Sequence, residues 1–306
     1  MIAISTTWNY SENCNLRQVL SEISGLGIKS IELGYNFTAS RLNETTLLLA
    51  DFGINVVSVH NFCPLPPQNQ FRRFFTNYYY LSSLDEAERK NAVFYTKQTI
   101  DTAAKIGAKI IIVHAGAIEI DSKYIKQLIN LYNQGKILTE DAQKLREDFL
   151  HIRTAKKGPY IDAVLKSFSE LVCYAKNMDI KIGLENRYYP NEIPNMDEAA
   201  LFLKEFTDSG LAYWHDTGHA IAQERLGTIE KNCLLGNFGN YLFGFHLHGT
   251  RGLRDHLAPI NGDFDSLQIS THLARKDLLK VIEAHQPTTS SELIETMQYF
   301  GQRGWL

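Results

Sequence analysis

Short apolar runs rich in β-branched residues alternate with longer amphipathic stretches from end to end of the chain. Residues 2–6 form the first such run, and 16–26 follow with Leu16, Val19, Leu20 and Ile23 at helical spacing. Gly27 closes that helix, since glycine readily takes the left-handed backbone of a helix end. Residues 29–33 and 55–60 are further strands, with a helix over 42–51 between them. Each unit is a strand, a turn and a helix, the grammar of a parallel sheet with helical crossovers. Further strands are predicted over 109–114, 180–185, 211–216, 242–248 and 278–285, and helices over 86–105, from Pro159 onward, 196–206 and 291–303. The pattern Ser83-Leu-Asp-Glu86 predicts a capping box at the head of the third helix, and Ser291 is the expected cap of the last. Eight strand–helix units in 306 residues predict a (β/α)8 barrel. An open doubly wound sheet would ordinarily carry a glycine-rich first turn for a nucleotide, and the chain has none.

Two stretches depart from this economy. Residues 61–82 form a long loop with three prolines and a crowd of aromatics, Phe71, Phe74, Phe75, Tyr78, Tyr79 and Tyr80. So many aromatics argue against disorder, and a lid, a subunit interface of a homo-oligomer or plain packing against helices all fit. Residues 118–158 form a helical insertion after strand four, with amphipathic stretches around Leu128 and Leu145. It is too short and polar for a core of its own, so residues 1–306 are expected to be one domain.

Composition narrows the class. With 44% apolar and 21% charged residues the chain can bury a sizeable core, and no apolar run is long enough to span a bilayer. The net charge of −3 supplies no overall field for nucleic acid or an anionic membrane. Cys14, Cys63, Cys173 and Cys233 are scattered, without metal-ribbon spacing. Together with a start that lacks the features of a secretory signal, they predict a cytoplasmic protein with reduced thiols.

The chemistry sits where the predicted strands end. In a (β/α)8 barrel that face carries the active site. The ends read Glu32, His60, His114, Glu185, Asp216, His246 with His248, and Glu283. Alternation places Gly183 with Glu185, His246 with His248, and Val281 with Glu283 and His285 on shared faces. A structural role is the ordinary reading of any one of these, and Glu32 is expected to pair with a nearby Lys or Arg. The ensemble is different, because so many ionisable groups at one mouth need a cation to offset their desolvation. A divalent metal is therefore expected. Mn, Zn, Mg and Co all suit such mixed nitrogen and oxygen donors.

These residues carry a resemblance. SVHNFCP (58–64), IIIVHAG (110–116), GLENR (183–187), YWHDTGHA (213–220), FHLHG (245–249), DHLAPINGD (255–263) and VIEAH (281–285) follow in the order of the xylose-isomerase-like TIM-barrel superfamily. That superfamily holds sugar isomerases and epimerases together with zinc-dependent apurinic endonucleases. The resemblance implies Glu185, Asp216, His246 and Glu283 as metal ligands, with Glu185 and Glu283 also as catalytic acid and base. It implies His60, His114, His219, His248, Asp255 and His256 as ligands of further metal ions or as substrate contacts. Trp8, Asn186 and Arg187 are expected to shape the substrate pocket, and His215 to face the helices and take no part. The chain departs from its relatives at Gly249, where they often have Asp, and at Pro259-Ile-Asn-Gly262, where they often have an acid. It also has Arg254 where the nucleases place an Asp, with Asp255 adjacent to His256 instead.

The expected activity is isomerisation or epimerisation of a sugar, sugar phosphate or polyol derivative by proton transfer through a metal-stabilised enediolate. Dehydration on the same metal site is a close variant. The alternative class is a zinc phosphodiesterase of DNA repair, which needs a basic surface for phosphates. The basic pairs Arg72–Arg73, Lys156–Lys157 and Arg251 with Arg254 read as solvated surface, so a small sugar-type molecule is the expected partner. A metal-free binding protein is the third option, and the intact ligand set argues against it.

Overall fold

The computed structural model describes residues 1–67, 75–264 and 266–306. Eight parallel strands run β1 (Ile2–Ser5), β2 (Ser30–Leu33), β3 (Asn55–His60), β4 (Ile110–Val113), β5 (Lys181–Glu185), β6 (Leu211–Asp216), β7 (Leu242–Leu247) and β8 (Leu279–Ile282). Each pairs with its sequence neighbours, and β8 closes the ring on β1 with Ala3 opposite Val281. The helices outside are α1 (Leu16–Gly25), α2 (Ala39–Phe52), α3 (Glu86–Ile106), α4 (Lys123–Asn133), α5 (Glu140–Lys176), α6 (Met196–Phe206), α7 (Thr217–Leu226), α8 (Cys233–Phe238), α9 (Ser266–Leu273) and α10 (Ser290–Gln302). Among the described residues no helix is long and apolar enough to cross a membrane.

The core has two parts, as a closed barrel requires. A large apolar layer lies between strands and helices, and a small one fills the barrel: Ala3, Val57, Ile110, Ile112, Trp214 and Val281. The indole of Trp214 takes most of that interior, and only glycine fits opposite it. A Cβ on Gly244 would stand 2.3 Å from the ring, and one on Gly183 would stand 3.1 Å from Ile112. Two register slips tune which residues point inward. Ile31 pairs with Val56 but Glu32 with Ser58, and Tyr213 pairs with Leu242 but Trp214 with Gly244. Each slip inserts one residue, so the side chains beyond it face the opposite way from a regular strand.

Four local expectations need correction. Pro159 does not begin a helix but lies inside the 37-residue α5. The missing backbone bond costs roughly 3 kcal/mol, and the buried Ala142, Phe149 and Arg153 on the preceding turns offset it by packing. The cap of α3 is Asp85, whose carboxylate accepts from Ala87 N (2.8 Å) and Glu88 N (3.2 Å), while Ser83 donates to Glu88. The cap of α10 is Thr289, not Ser291, in a full capping box with Glu292. Finally β8 stops at Ile282, so Glu283 and His285 stand on the loop beyond it. Residues 68–74 of the aromatic loop, with Phe71, Arg72, Arg73 and Phe74, lie outside the described residues.

Candidate metal centre

His246 is the hub. It is fully buried near the end of β7, and its two ring nitrogens face different groups. Nδ1 lies 2.8 Å from Glu185, 3.1 Å from Glu283 and 3.9 Å from Asp216. Nε2 lies 3.0 Å from the carboxylate of Glu32, which also accepts from the Ser58 hydroxyl at 2.8 Å. The partner of Glu32 is thus an imidazole, in place of the expected Lys or Arg. Glu185 and Asp216 end their strands, and Glu283 follows β8 directly. One ligand atom from each of Glu185, Asp216, His246 and Glu283 falls within 4.8 Å of the others.

The electrostatics show what such a cluster needs. Burial alone would push every one of these carboxyls up. Glu185 is nonetheless held well below the ordinary range by His114 and His246. Glu283 rises well above it through burial, reinforced by Glu32 and Glu185, and Asp216 rises to about 7 through burial and the nearby Glu185. Burial opposes a charge on His246, but Glu283, Glu32 and Glu185 raise its pKa well above the usual imidazole value. Protons held in this way sit where a divalent cation would offset the same negative charge. Three carboxylates and one imidazole fit Mn, Mg, Co or Zn.

The family model of the xylose isomerase-like TIM barrel matches residues 20–299. The chain belongs to this family. No curated protein resembles it in sequence at a significant level. Several solved structures share the fold. A D-tagatose 3-epimerase-like protein has a TM-score of 0.66 at 16% identity, covering 99% of this chain and 96% of its own. A 3-keto-D-glucoside 4-epimerase from E. coli has a TM-score of 0.67 at 12% identity, covering 98% of both chains. An L-ribulose 3-epimerase has a TM-score of 0.66 at 13% identity, covering 99% of this chain and 94% of its own.

In this xylose isomerase-like barrel further groups adjoin the hub, among them His60, His114 and Glu185 on one side and His219, Asp255 and His256 on the other. His114 Nε2 lies 2.5 Å from Glu185, and His60 Nε2 lies 3.7 Å from it. Asp216 caps α7, accepting from His219 N at 2.7 Å, and it also meets His248 Nε2 at 2.9 Å. His248 approaches so closely that a Cβ on Gly218 would stand 2.1 Å from its ring. His219 Nδ1 is 3.0 Å from the carbonyl of Asn186, a contact that assigns its proton to Nδ1 and leaves Nε2 for a ligand. His256 has a left-handed backbone (φ 53°) and stacks between His248 at 4.2 Å and His285 at 3.9 Å. Burial lowers all three rings, to about 4, 3 and 2 for His248, His256 and His285, so the stack is neutral. The adjacency of Asp255 and His256 does not keep Asp255 from its cluster.

A cavity of about 210 Å³ opens on the hub, walled by Tyr35, His60, His114, Glu185, His219 and Glu283 among others. An outer cleft of about 470 Å³ shares Asn77, Arg187, His219 and His256 with it. A larger depression, about 620 Å³, lies around Arg225 and Phe264 and contains none of the four hub ligands. Two expected pocket residues are placed otherwise. Trp8 is 2% exposed and spends its indole N–H on Thr288 O at 2.8 Å. Asn186 is consumed by the end of β6, bonding Asp216 N, Asp216 O and the Tyr213 hydroxyl. Arg187 does wall the cavity, held by Glu185 at 3.3 Å and Glu192 at 2.9 Å. His215 points to the helix side, where the Tyr213 hydroxyl lies 2.8 Å from its Nδ1. Glu192, Tyr35 and Asn77 line the two cavities but are not reached by the strand-end reading, because they lie between barrel strands and helices in segments too short for a periodic signal.

Proposed function

We propose that this chain is a divalent-metal-dependent isomerase or epimerase of a sugar or polyol derivative. The observation that carries the reading is the hub itself. Two carboxylates, Glu185 at the end of β5 and Glu283 just beyond β8, meet the same imidazole nitrogen at the wall of a cavity. Glu185, Asp216, His246 and Glu283 would hold a divalent ion, which would supply Lewis-acid polarisation of a substrate carbonyl. Glu185 and Glu283 are the proton acceptor and donor at the carbon beside that carbonyl. Glu32 orients His246 from behind, so that its Nδ1 stays directed at the cluster. His219 and Arg187 line the way in, and Trp214 with Ile112 and Val281 forms a dry floor beneath.

The flanking groups support a second reading, a multi-zinc phosphodiesterase, since Glu185 is shared between the hub and the group with His60 and His114, as a bridging carboxylate would be. The first reading is favoured by the walls of the cavity. Among the described lining residues Arg187 is the one permanent cation, and it is already engaged by two carboxylates, whereas a nucleic-acid backbone calls for free ones. Metal analysis and two assays decide between them. About one ion per chain, with solvent deuterium entering a ketose at the carbon beside its carbonyl, supports the isomerase, and Glu185→Gln and Glu283→Gln should each abolish that exchange. Two or three zinc ions with cleavage of abasic DNA would establish the nuclease. A chain that binds no divalent metal would sink both.

A further inference from the structure

We propose that Arg153, on the long helix α5 outside the barrel, is a positioning residue for the site. It is 2% exposed, and its guanidinium grips one loop and one helix at once. Nε donates to Pro190 O at 2.8 Å and Nη2 to Glu192 O at 3.0 Å, so the fork holds the backbone that follows β5. The same fork pairs with Glu198 at 2.6 and 2.8 Å, and Glu198 in turn closes the capping box of α6 through Asn195 N. The fastened residue, Glu192, passes the constraint inward. Its carboxylate accepts from Tyr189 N and from Arg187 Nη2, both at 2.9 Å, and Arg187 Nη1 reaches Glu185 at 3.3 Å.

The line from α5 to the hub is therefore Arg153, the Glu192 backbone, the Glu192 carboxylate, Arg187 and Glu185. Other contacts touch this loop, but none does the same task. The short ribbon pairing Gly116–Ala117 with Glu192–Ile193 holds the backbone from the opposite edge. Among the described residues Arg153 is the cation that meets the carbonyls of Pro190 and Glu192. A planar fork suits this position, because it satisfies two carbonyls and one carboxylate in a fixed plane. That Glu185 is a metal ligand rests on the reading above, whereas the fastening of the loop does not.

The test separates positioning from bulk stability. Arg153→Met alone strands the buried Glu198 charge and should lower the melting temperature. The pair R153M/E198Q removes both charges and keeps an acceptor for the α6 cap, so it should melt above R153M alone, short of the unaltered protein by the two backbone bonds lost. Amide hydrogen exchange over residues 187–192 should nevertheless quicken about tenfold or more in the metal-free pair variant. Co²⁺ binding, followed by its visible absorption, should weaken by about 10-fold. Glu192→Gln, which leaves α5 and α6 untouched, should reproduce the Co²⁺ effect. Unchanged exchange over 187–192 in the pair variant would overturn the fastening, and unchanged Co²⁺ affinity in Glu192→Gln would overturn its transmission to Glu185. If the unaltered protein takes up no Co²⁺, the metal reading fails, and the exchange measurement still decides what Arg153 does.

Discussion

Glu32→Gln isolates one interaction of the hub. The carboxylate is fully buried, accepts from Ser58 at 2.8 Å and lies 3.0 and 3.1 Å from His246 Nε2. Glutamine can keep both contacts. Its carbonyl oxygen accepts from Nε2–H, and its amide donates to the Ser58 hydroxyl, which rotates to accept. What is lost is the charge. With a cation at Nδ1, that charge strengthens the imidazole as a ligand; without one, burying Glu32 carries a desolvation cost that is offset chiefly by the facing imidazolium. The substitution therefore weakens the metal-bound state and relieves the metal-free state, and both effects lower the apparent affinity. Loss of a carboxylate behind a ligating histidine weakens binding by about 10–100-fold, or about 1.4–2.7 kcal/mol. Titration with Mn²⁺ or Co²⁺ against a competing chelator measures the change, and thermal melting in excess chelator checks that the metal-free fold is intact. An intact Glu32→Gln protein with unaltered affinity would refute the orientation argued for His246, and with it Nδ1 as the ligating atom.

Three further outcomes follow from the same geometry. Gly244→Ala drives a methyl to within 2.3 Å of the Trp214 ring and 2.9 Å of Leu279 O, so overpacking should cost about 1–3 kcal/mol and lower the melting temperature by roughly 2–5 °C. Because Trp214 sits edge-on to His246 at 5.2 Å, metal affinity should fall as well, and an unshifted melt would show that the floor is looser than described. Removing metal with a chelator and restoring it to about 100 times its Kd should recover about 2.7 kcal/mol of stability, seen as a rise of roughly 4 °C in calorimetry. His215 is lowered to about 3, first by burial and then by the charge of His272. Its folded pKa lies below its unfolded one, so its stabilising effect is present above about pH 6.5 and is lost as pH falls towards 3. His215→Asn, whose amide can still donate to the Tyr213 hydroxyl oxygen, should be less acid-sensitive than the unaltered protein, by about 2–3 kcal/mol at pH 4.5 in chemical denaturation. Parallel acid limbs would exclude the effect.

Much of the barrel was legible because its signals are local. Strand β3, strand β6 and helix α6 have the predicted bounds, since each is framed by its own turn residues or cap. The convergence of Glu185, Asp216, His246 and Glu283 was legible for a topological reason: in this fold the residues at the strand ends go to one place. Misplaced features were those in which two local signals compete. Ser83 and Asp85 can both cap α3, and Asp85 prevails by reaching two amides. Pro159 ordinarily starts or ends a helix, but the packing of Phe149 and Arg153 keeps α5 continuous through it. The long-range partners had no signal at all. Arg153 looks like one more basic residue on an amphipathic helix until the loop at 190–192 is folded against it.

Glu32 shows why a strand-end pattern stops short of a mechanism. Its acidic side chain at the end of an apolar run reads as half of a surface ion pair. Its actual partner is 214 positions away, and the contact depends on two inserted residues that leave no trace in the hydrophobic alternation. The slip at Val57 brings Ser58 beside Glu32, and the slip at Phe243 aligns Gly244 with Trp214 and His246 with Asp216. Without the second slip, the alternation along β7 would place His246 on the helix side, because a shift of one residue reverses every side chain. The cluster would then hold three carboxylates and no imidazole. A metal centre on this barrel thus depends as much on where its strands depart from regularity as on which residues end them.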